Sequence, residues 1–234
     1  MRRRRVDPAQ QKAARSRPYR TALQAGVAEH VERYLGPVTG VVTGFGSGPM
    51  RVDLIWVEPR PGQDFHTLVT SGMSARPMSK PAGPCECSPF AELVLRLPAH
   101  WPVGPGAGQA RKFRWPLEEL IYLAHMPHRD ETHFGLGHTV TLVEDTGEAV
   151  ASITPETTFG GWVLRRPDWA PRPFRHLRRT FLHRVDFFSA VPLYPDELKL
   201  AFDEGSQALF ERLDASGITD LLVADRPSAF TVLH

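Results

Sequence analysis

The sequence predicts an α+β fold, with a mixed, largely antiparallel β-sheet core flanked by helices in a single domain. Three observations predict it. Strand-like apolar runs outnumber the segments whose apolar residues recur at helical spacing. The helical segments do not alternate regularly with the strands, as they would around a parallel sheet. The 234 residues, 41% of them hydrophobic, are enough for one sizeable core, and no linker divides them.

The first half of the chain predicts one helix followed by four strands. Apolar residues recur at helical spacing from about Tyr19 to Leu35, and Gly36 then supplies the usual helix end. Proline-rich residues 75–89 predict an irregular loop before the fourth strand. The four strands are predicted over Val38–Thr43, Arg51–Val57, Phe65–Thr70 and Phe90–Leu97.

The second half predicts two helices with strands between them. The segment Trp115–Met126 has an apolar stripe, and Pro116 suits its first turn because the missing N–H costs nothing there. One last helix is predicted to begin near Pro195 and to continue through Leu213. Strands are predicted over Thr139–Val143, Val150–Ile153, Phe159–Leu164 and Phe181–Leu193.

Charge is distributed unevenly along the chain. Residues 1–20 carry eight basic side chains against Asp7 alone, a net charge of +7, and this leaves −5 for the rest of a chain whose total is +2. We predict that residues 1–18 form a disordered basic tail and that residues 19–234 form the folded domain. Such an arm can contact nucleic acid or an anionic membrane, although a solvated terminus is the simpler interpretation.

Several features predict a cytoplasmic protein without membrane contact. No apolar run approaches the roughly 18 residues that a membrane span needs. The chain opens on arginines with no apolar stretch behind them, which predicts no secretory signal. Cys85 and Cys87 stand one residue apart and cannot form a disulfide framework, which favours a reducing compartment.

Several distinctive strings occur in a fixed order along the chain. They are DLIWVEP (53–59), FHTLVTSGMSARPM (65–78), FAELVLRLPAHWP (90–102), WPL (115–117), GHT (137–139) and FFSAVPLYPDEL (187–198). In this order and spacing the chain resembles bacterial members of the suppressor-of-fused domain family over roughly residues 35–215. Seven positions within the strings have no role that the sequence assigns, namely Asp53, Thr70, Gly72, Met73, Ser74, Glu92 and His138.

The resemblance implies a non-catalytic protein-binding module. Animal members hold a transcription-factor peptide, which adds as a strand between two domains, and this chain resembles only the N-terminal one of those domains. For bacterial members the resemblance implies immunity proteins that neutralise a toxin partner. Local chemistry explains part of the strings without a partner, because Gly72 gives a turn its backbone freedom and Ser74 can form side-chain hydrogen bonds there.

The sequence contains no arrangement of residues typical of an enzyme. Pro127 is expected to interrupt the helix near the histidines, and their spacing matches no catalytic zinc motif. Cys85 and Cys87 do not form a CxxC pair, and Gly44–Gly48 lacks the ending of a phosphate-binding loop. We therefore expect neither a metal nor a cofactor. The histidines that could suit zinc are His125, His128, His133 and His138.

The segment most suggestive of a partner is 165–184, which holds seven arginines and one aspartate. A like-charged cluster repels itself, and arginine and tryptophan are favoured where interfaces carry energy. Trp162 is expected in the core, and a solvated connector between two strands is the alternative interpretation of the segment. The candidate partner-binding residues are Arg165, Arg166, Trp169, Arg175, Arg178 and Arg179.

Three functional hypotheses follow. The first is a protein-binding module, most concretely an immunity-type inhibitor that occludes a toxin partner. The second is a nucleic-acid-binding protein that uses the arginine tail and the 165–184 segment. The third is a metal-dependent hydrolase centred on the histidines.

Overall fold

In the computed structural model, residues 22–43, 50–79, 87–104, 110–141, 152–178 and 183–231 are described. The helices are α1 (Ala22–Leu35), α2 (Arg111–Arg129), α3 (Pro195–Glu204) and α4 (Ser206–Ala215). The strands are β1 (Gly40–Val42), β2 (Asp53–Val57), β3 (Phe65–Ser71), β4 (Phe90–Pro98), β5 (Thr139–Thr141), β6 (Gly161–Arg165), β7 (His176–Arg178) and β8 (Arg184–Leu193). None of the helices in these ranges has the length and apolar character needed to cross a bilayer.

The eight strands form one open sheet in the order β1-β2-β3-β4-β8-β6-β5, with β7 paired to β8 beside β6. Every pairing is antiparallel except that of β4 with β8, which is parallel. The long connection from β4 to β8 contains α2, as a parallel pairing requires. The fold predicted from the sequence, a mixed and largely antiparallel sheet with flanking helices in one domain, is confirmed.

Helices cover both faces of the sheet, which explains why the central strands are buried along their whole length. Alternation along β2 shows the two faces. Leu54 and Trp56 pack with the apolar side of α2, whereas Ile55 and Val57 pack with α1. A third cluster holds α3 and α4 against the β6 and β8 end of the sheet.

The C-terminal segment is attached to this end through a buried ion pair. Glu197 accepts hydrogen bonds from both terminal nitrogens of Arg226 (2.7 and 2.6 Å) and from the amide N–H groups of Tyr194 and Ala229 (both 2.9 Å). Because Glu197 is fully buried, these four donors replace the water that the carboxylate loses.

Several element predictions need correction. The last helix is two helices, because Gly205 has a φ of 90° and interrupts the run. The middle helix extends from Arg111 to Arg129 and contains both Pro116 and Pro127, so Pro116 does not lie in its first turn and Pro127 does not end it. Ile153 is buried but lies outside any strand, whereas residues 150–151 are not among those described.

The strand predicted over Phe181–Leu193 begins at Arg184 in the described structure, since residues 179–182 lie outside it. The short strand β7 was not predicted at all. It falls within the arginine-rich segment, where three residues give too little alternation to indicate a strand. The tail predicted over residues 1–18 lies outside the described residues, and α1 is described from Ala22.

Candidate protein-binding surface

Strands β6 and β7 follow one line along the same side of β8. Arg165 at the end of β6 pairs with Ser189, and His176 at the start of β7 pairs with Asp186. Both strands lie opposite β4, which occupies the other side of β8 from Val185 to Ser189. Residues 166–175 connect these two strands by leaving their common line and returning to it, and we call them the excursion.

The outer edge of β7 has no strand partner among the described residues. Strand β5 pairs with β6 only between Gly161 and Val163, and β7 pairs only with β8. An unpaired edge presents backbone N–H and C=O groups that a further extended chain can bond. We call the outer side of His176–Arg178 the β7 edge.

The arginines of this region fall into two groups. Arg165 binds Asp214 through two contacts of 2.6 and 2.8 Å, Arg175 binds Asp168 at 2.7 Å, and Arg184 lies 2.7 Å from Asp186. Repulsion within the cluster, expected from the sequence, is therefore offset for these three arginines, because Asp214, Asp168 and Asp186 neutralise them.

The second group is exposed and has no ion pair with a described residue. It consists of Arg166, at the start of the excursion, Arg172 in the 3-10 turn Arg172–Arg175 that leads into β7, and Arg178 in β7 itself. Arg179 lies outside the described residues. The positive charge that remains available at this edge of the sheet therefore comes from fewer arginines than the sequence count suggests.

Trp169 lies in the excursion and is half-buried, with its ring packed edge-on against Phe65 at 5.3 Å between centroids. The Arg96 guanidinium stands 4.6 Å from the Phe65 ring centre and 4.8 Å from that of Trp169. Arg96 is buried and bonded to Asp220. Trp162 is in the core, as predicted, with 1% of its surface exposed.

Trp169 forms a wall between two surface hollows. One, of about 310 Å³, is lined by Tyr34, Arg60, Phe65 and Pro171 among others. The other, of about 160 Å³, contains the candidate residues Arg165 and Arg166 together with Trp169, beside three aspartates. The structure thus brings three of the six candidate residues to one hollow and places Arg175 and Arg178 farther along the excursion and β7.

Four of the seven positions singled out in the distinctive strings come together elsewhere, in a buried hydrogen-bond network that joins β3, the turn after it and β4. Glu92 is fully buried and accepts hydrogen bonds from the hydroxyls of Thr70 and Ser74 (both 2.6 Å) and from the amides of Gly72 (3.0 Å) and Ser74 (3.1 Å). Burial raises the pKa of the Glu92 carboxyl, and the four donors oppose that effect. We call Thr70, Gly72, Ser74 and Glu92 the Glu92 network.

The backbone at Gly72 explains why the network needs glycine there. Its φ is 133°, and a Cβ at this position would lie 2.2 Å from the Arg51 carbonyl oxygen. Met73 is buried beside it. Asp53, another of the seven positions, is also buried and is held by Arg51 (2.9 Å) and Gln24 (3.1 Å).

The histidines are dispersed over helix and loop. His125 and His128 lie on the last turns of α2, and the His128 ring bonds the Met73 carbonyl oxygen at 3.0 Å. His133 is buried and bonds the Ser79 carbonyl oxygen, whereas His138 is exposed. Burial lowers the pKa of His125, His128 and His133.

The described residues hold no group of three or more histidine, cysteine, aspartate or glutamate side chains arranged to bind a metal ion. Cys87 is disulfide-bonded and supplies no free thiol, and Cys85 lies outside the described residues.

Solved structures with this fold share little sequence with the chain. A homologue of suppressor of fused from Neisseria gonorrhoeae FA 1090 has a TM-score of 0.61 at 16% identity, over 90% of this chain and 98% of that one. The Sufu–Fu complex structure matches with a TM-score of 0.57 at 15% identity, over 89% of this chain and 91% of that one. The crystal structure of Drosophila Suppressor of Fused matches with a TM-score of 0.56 at 15% identity, and the match covers 89% of this chain and 50% of that one.

A comparison with curated protein sequences finds no match. A family model decides the assignment, because the model of the suppressor of fused protein matches residues 48–227, which is most of the chain. This range contains the Glu92 network, the 166–175 excursion and the β7 edge. The chain belongs to the suppressor of fused family.

Proposed function

We propose that this chain is a non-catalytic protein-binding module that takes an extended, acidic segment of another protein along the β7 edge. The observation that carries the proposal is the edge of β7, which no described strand pairs, beside exposed Arg172 and Arg178. The rest of the chain after residue 20 has a negative net charge. Main-chain hydrogen bonds to an added strand supply affinity, and neighbouring side chains supply selectivity. Acidic residues of the partner would meet the exposed guanidinium groups.

The family supports this proposal. One of the similar structures is a complex between Sufu and Fu, and the resemblance implies that animal members hold a peptide as an added strand. More specifically, we propose that the partner is a toxin and that this chain inhibits it in the cytoplasm by covering the toxin's surface. Such a mechanism is steric and electrostatic and needs no turnover.

The nucleic-acid alternative has less support at this surface. Asp168, Asp186 and Asp214 neutralise three of the arginines that the alternative would need for phosphate contacts. Binding through the tail alone would be independent of the β7 edge. The two proposals are therefore separable by experiment.

The test is capture with two matched variants of the full chain. A displayed library of linear peptides is selected on the wild type, and the recovered peptides are then measured on Arg172→Glu/Arg178→Glu and on Arg76→Glu/Lys112→Glu. Both pairs change the charge equally at exposed positions, but only the first pair borders the β7 edge. We expect acidic peptides to be recovered and to lose at least about tenfold in affinity on the first variant only.

Equal loss on both variants would show a non-specific charge effect, and no loss on either would place binding elsewhere. Hydrogen exchange adds a direct readout of strand addition, because amides of β7 that bond the peptide should exchange more slowly in its presence. Co-purification from the native host followed by mass spectrometry then identifies the physiological partner. A neighbouring toxin gene whose product is captured would support the immunity role.

A further inference from the structure

We infer that His133 and His138 form a two-imidazole binding site for a divalent transition metal of the zinc type. This site is separate from the proposed β7 edge. It differs from the hydrolase hypothesis because it contains two protein ligands and no catalytic base. The inference stands on the position of the two rings, the hydrogen bond that orients one of them, and the backbone that holds the loop.

The two rings face a common space above Gly135. A methyl group placed on Gly135 would lie 3.8 Å from Nε2 of His133 and also 3.8 Å from Nε2 of His138. The ring centroids are 6.0 Å apart, with an interplanar angle of 80°. With zinc–nitrogen bonds of about 2.0–2.1 Å, two imidazoles on one tetrahedral ion have centroids roughly 5–6 Å apart. Small side-chain adjustments therefore bring both nitrogens to one ion.

His133 has the hydrogen bonding that is typical of a metal ligand. Its Nδ1 lies 3.2 Å from the Ser79 carbonyl oxygen, so Nδ1 carries the proton and Nε2 carries the lone pair. Nε2 is buried and has no hydrogen-bond partner among the described residues, in a side chain only 6% exposed. An unsatisfied buried nitrogen is costly, and a bound ion would satisfy it.

The loop between the two histidines is held by backbone bonds to β6. Gly137 N–H donates to the Leu164 carbonyl (2.8 Å), and Leu164 N–H donates to the His138 carbonyl (2.9 Å). His138 N–H closes the turn onto Gly135 (3.2 Å). Because these bonds fix the backbone, His138 can reach an ion beside His133 by rotating its side chain. The remaining coordination positions would be filled by water.

The experiment titrates metal-free, untagged full-length protein with ZnCl₂ by isothermal calorimetry at neutral pH. We expect one zinc per chain for the wild type and at least about tenfold weaker binding for His138→Ala. His138 is exposed, so this variant should fold normally. His100→Ala, which removes another exposed histidine outside the site, is the matched control and should bind zinc as the wild type does.

Copper provides a second readout that reports the ligands directly. Cu²⁺ binds nitrogen sites more tightly than zinc does, and its electron paramagnetic resonance spectrum should show coupling to two imidazole nitrogens that falls to one in His138→Ala. In NMR spectra, zinc should shift His133 Nε2 and leave its Nδ1 protonated. The inference is overturned if the wild type binds no zinc, or if His138→Ala binds zinc as tightly as the wild type does.

Discussion

The Glu92 network and the β7 edge show two opposite ways of placing polar groups in one sheet. In the network, a buried carboxylate meets four donors from the end of β3 and the turn that follows it. At the β7 edge, backbone groups and the exposed Arg172 and Arg178 have no described strand or ion-pair partner. The network stabilises the fold by itself, whereas the edge gains bonds only when something else binds.

The distinctive strings and the proposed binding edge therefore lie in different parts of the sheet. Thr70, Gly72, Ser74 and Glu92 lie in the strings that carry the family resemblance, and their polar groups bond inside the sheet. The Thr70 hydroxyl donates to Glu92 (2.6 Å) and accepts from the Leu93 N–H (2.7 Å). The β7 edge lies outside those strings. Substitutions should therefore separate the two regions, with large effects on stability at the network and small ones at the edge.

The largest effect is expected for Gly72→Ala. A Cβ there would lie 2.2 Å from a backbone oxygen of Arg51, at a φ that side chains other than glycine rarely adopt. We expect a loss of about 3 kcal/mol or more in the free energy of unfolding, measured with urea. Gly62→Ala is the control, because Gly62 also has a positive φ but has open space around it, and it should lose about 1 kcal/mol. Equal losses would mean that the close approach at Gly72 is relieved by a small shift.

The second effect is expected for Glu92→Ala. The change leaves two hydroxyls and two amides without an acceptor in a fully buried position. Stranded buried donors typically cost about 1–3 kcal/mol each before relaxation, and we expect a total loss of about 3 kcal/mol in the free energy of unfolding. Glu29→Ala, at an exposed position of α1, should change it by less than about 0.5 kcal/mol. A small loss for Glu92→Ala would mean that water enters and satisfies the donors.

The pH dependence of the same site gives a smaller effect of known sign. Burial raises the pKa of Glu92 above its ordinary value of 4.5, so the folded state binds this proton more tightly than the unfolded state does. The associated stability is fully present below pH 4.5 and is lost as the pH rises through the folded-state pKa. Glu92→Gln lacks this titration.

The free energy of unfolding of the wild type, minus that of Glu92→Gln, should therefore increase as the pH is lowered toward 4.5. Urea unfolding of both proteins over a pH series measures it, and other titrating groups cancel in the difference. A difference that shrinks on acidification would show that the four hydrogen bonds outweigh burial and hold the pKa below its ordinary value.

The sequence predicted the elements that have strong local patterns and missed those set by distant partners. Leu54, Trp56, Ile55 and Val57 alternate in a run of strand-forming residues, so β2 was predictable before its partners were known. Strand β7 has three residues and exists because β8 pairs with it. Its edge character follows from strand order, which no local pattern contains.

The same limit applies to the arginines. Counting charges within 165–184 finds one aspartate, but Arg165 is neutralised by Asp214 on α4, 49 residues along the chain. Trp169 was predictable as a loop residue, whereas its packing on Phe65 and Arg96 was not. Ion pairs and ring contacts that join separate elements require the fold before they can be assigned.

The smallest effect is expected for deletion of residues 1–18, which belong to neither region. This segment is predominantly basic and has few apolar residues to bury, so its removal should change the free energy of unfolding by less than about 0.5 kcal/mol and the thermal midpoint by about 1–2 °C. Deletion through residue 35 is the contrasting variant, because it removes Val27, Val31 and Leu35 from the core and should prevent folding.

The deletion of residues 1–18 also separates the two binding proposals. Peptide capture at the β7 edge should survive this deletion, whereas salt-sensitive retention on nucleic acid, if the tail causes it, should disappear. A fall of many degrees on removing residues 1–18 would show that the basic arm packs on the domain.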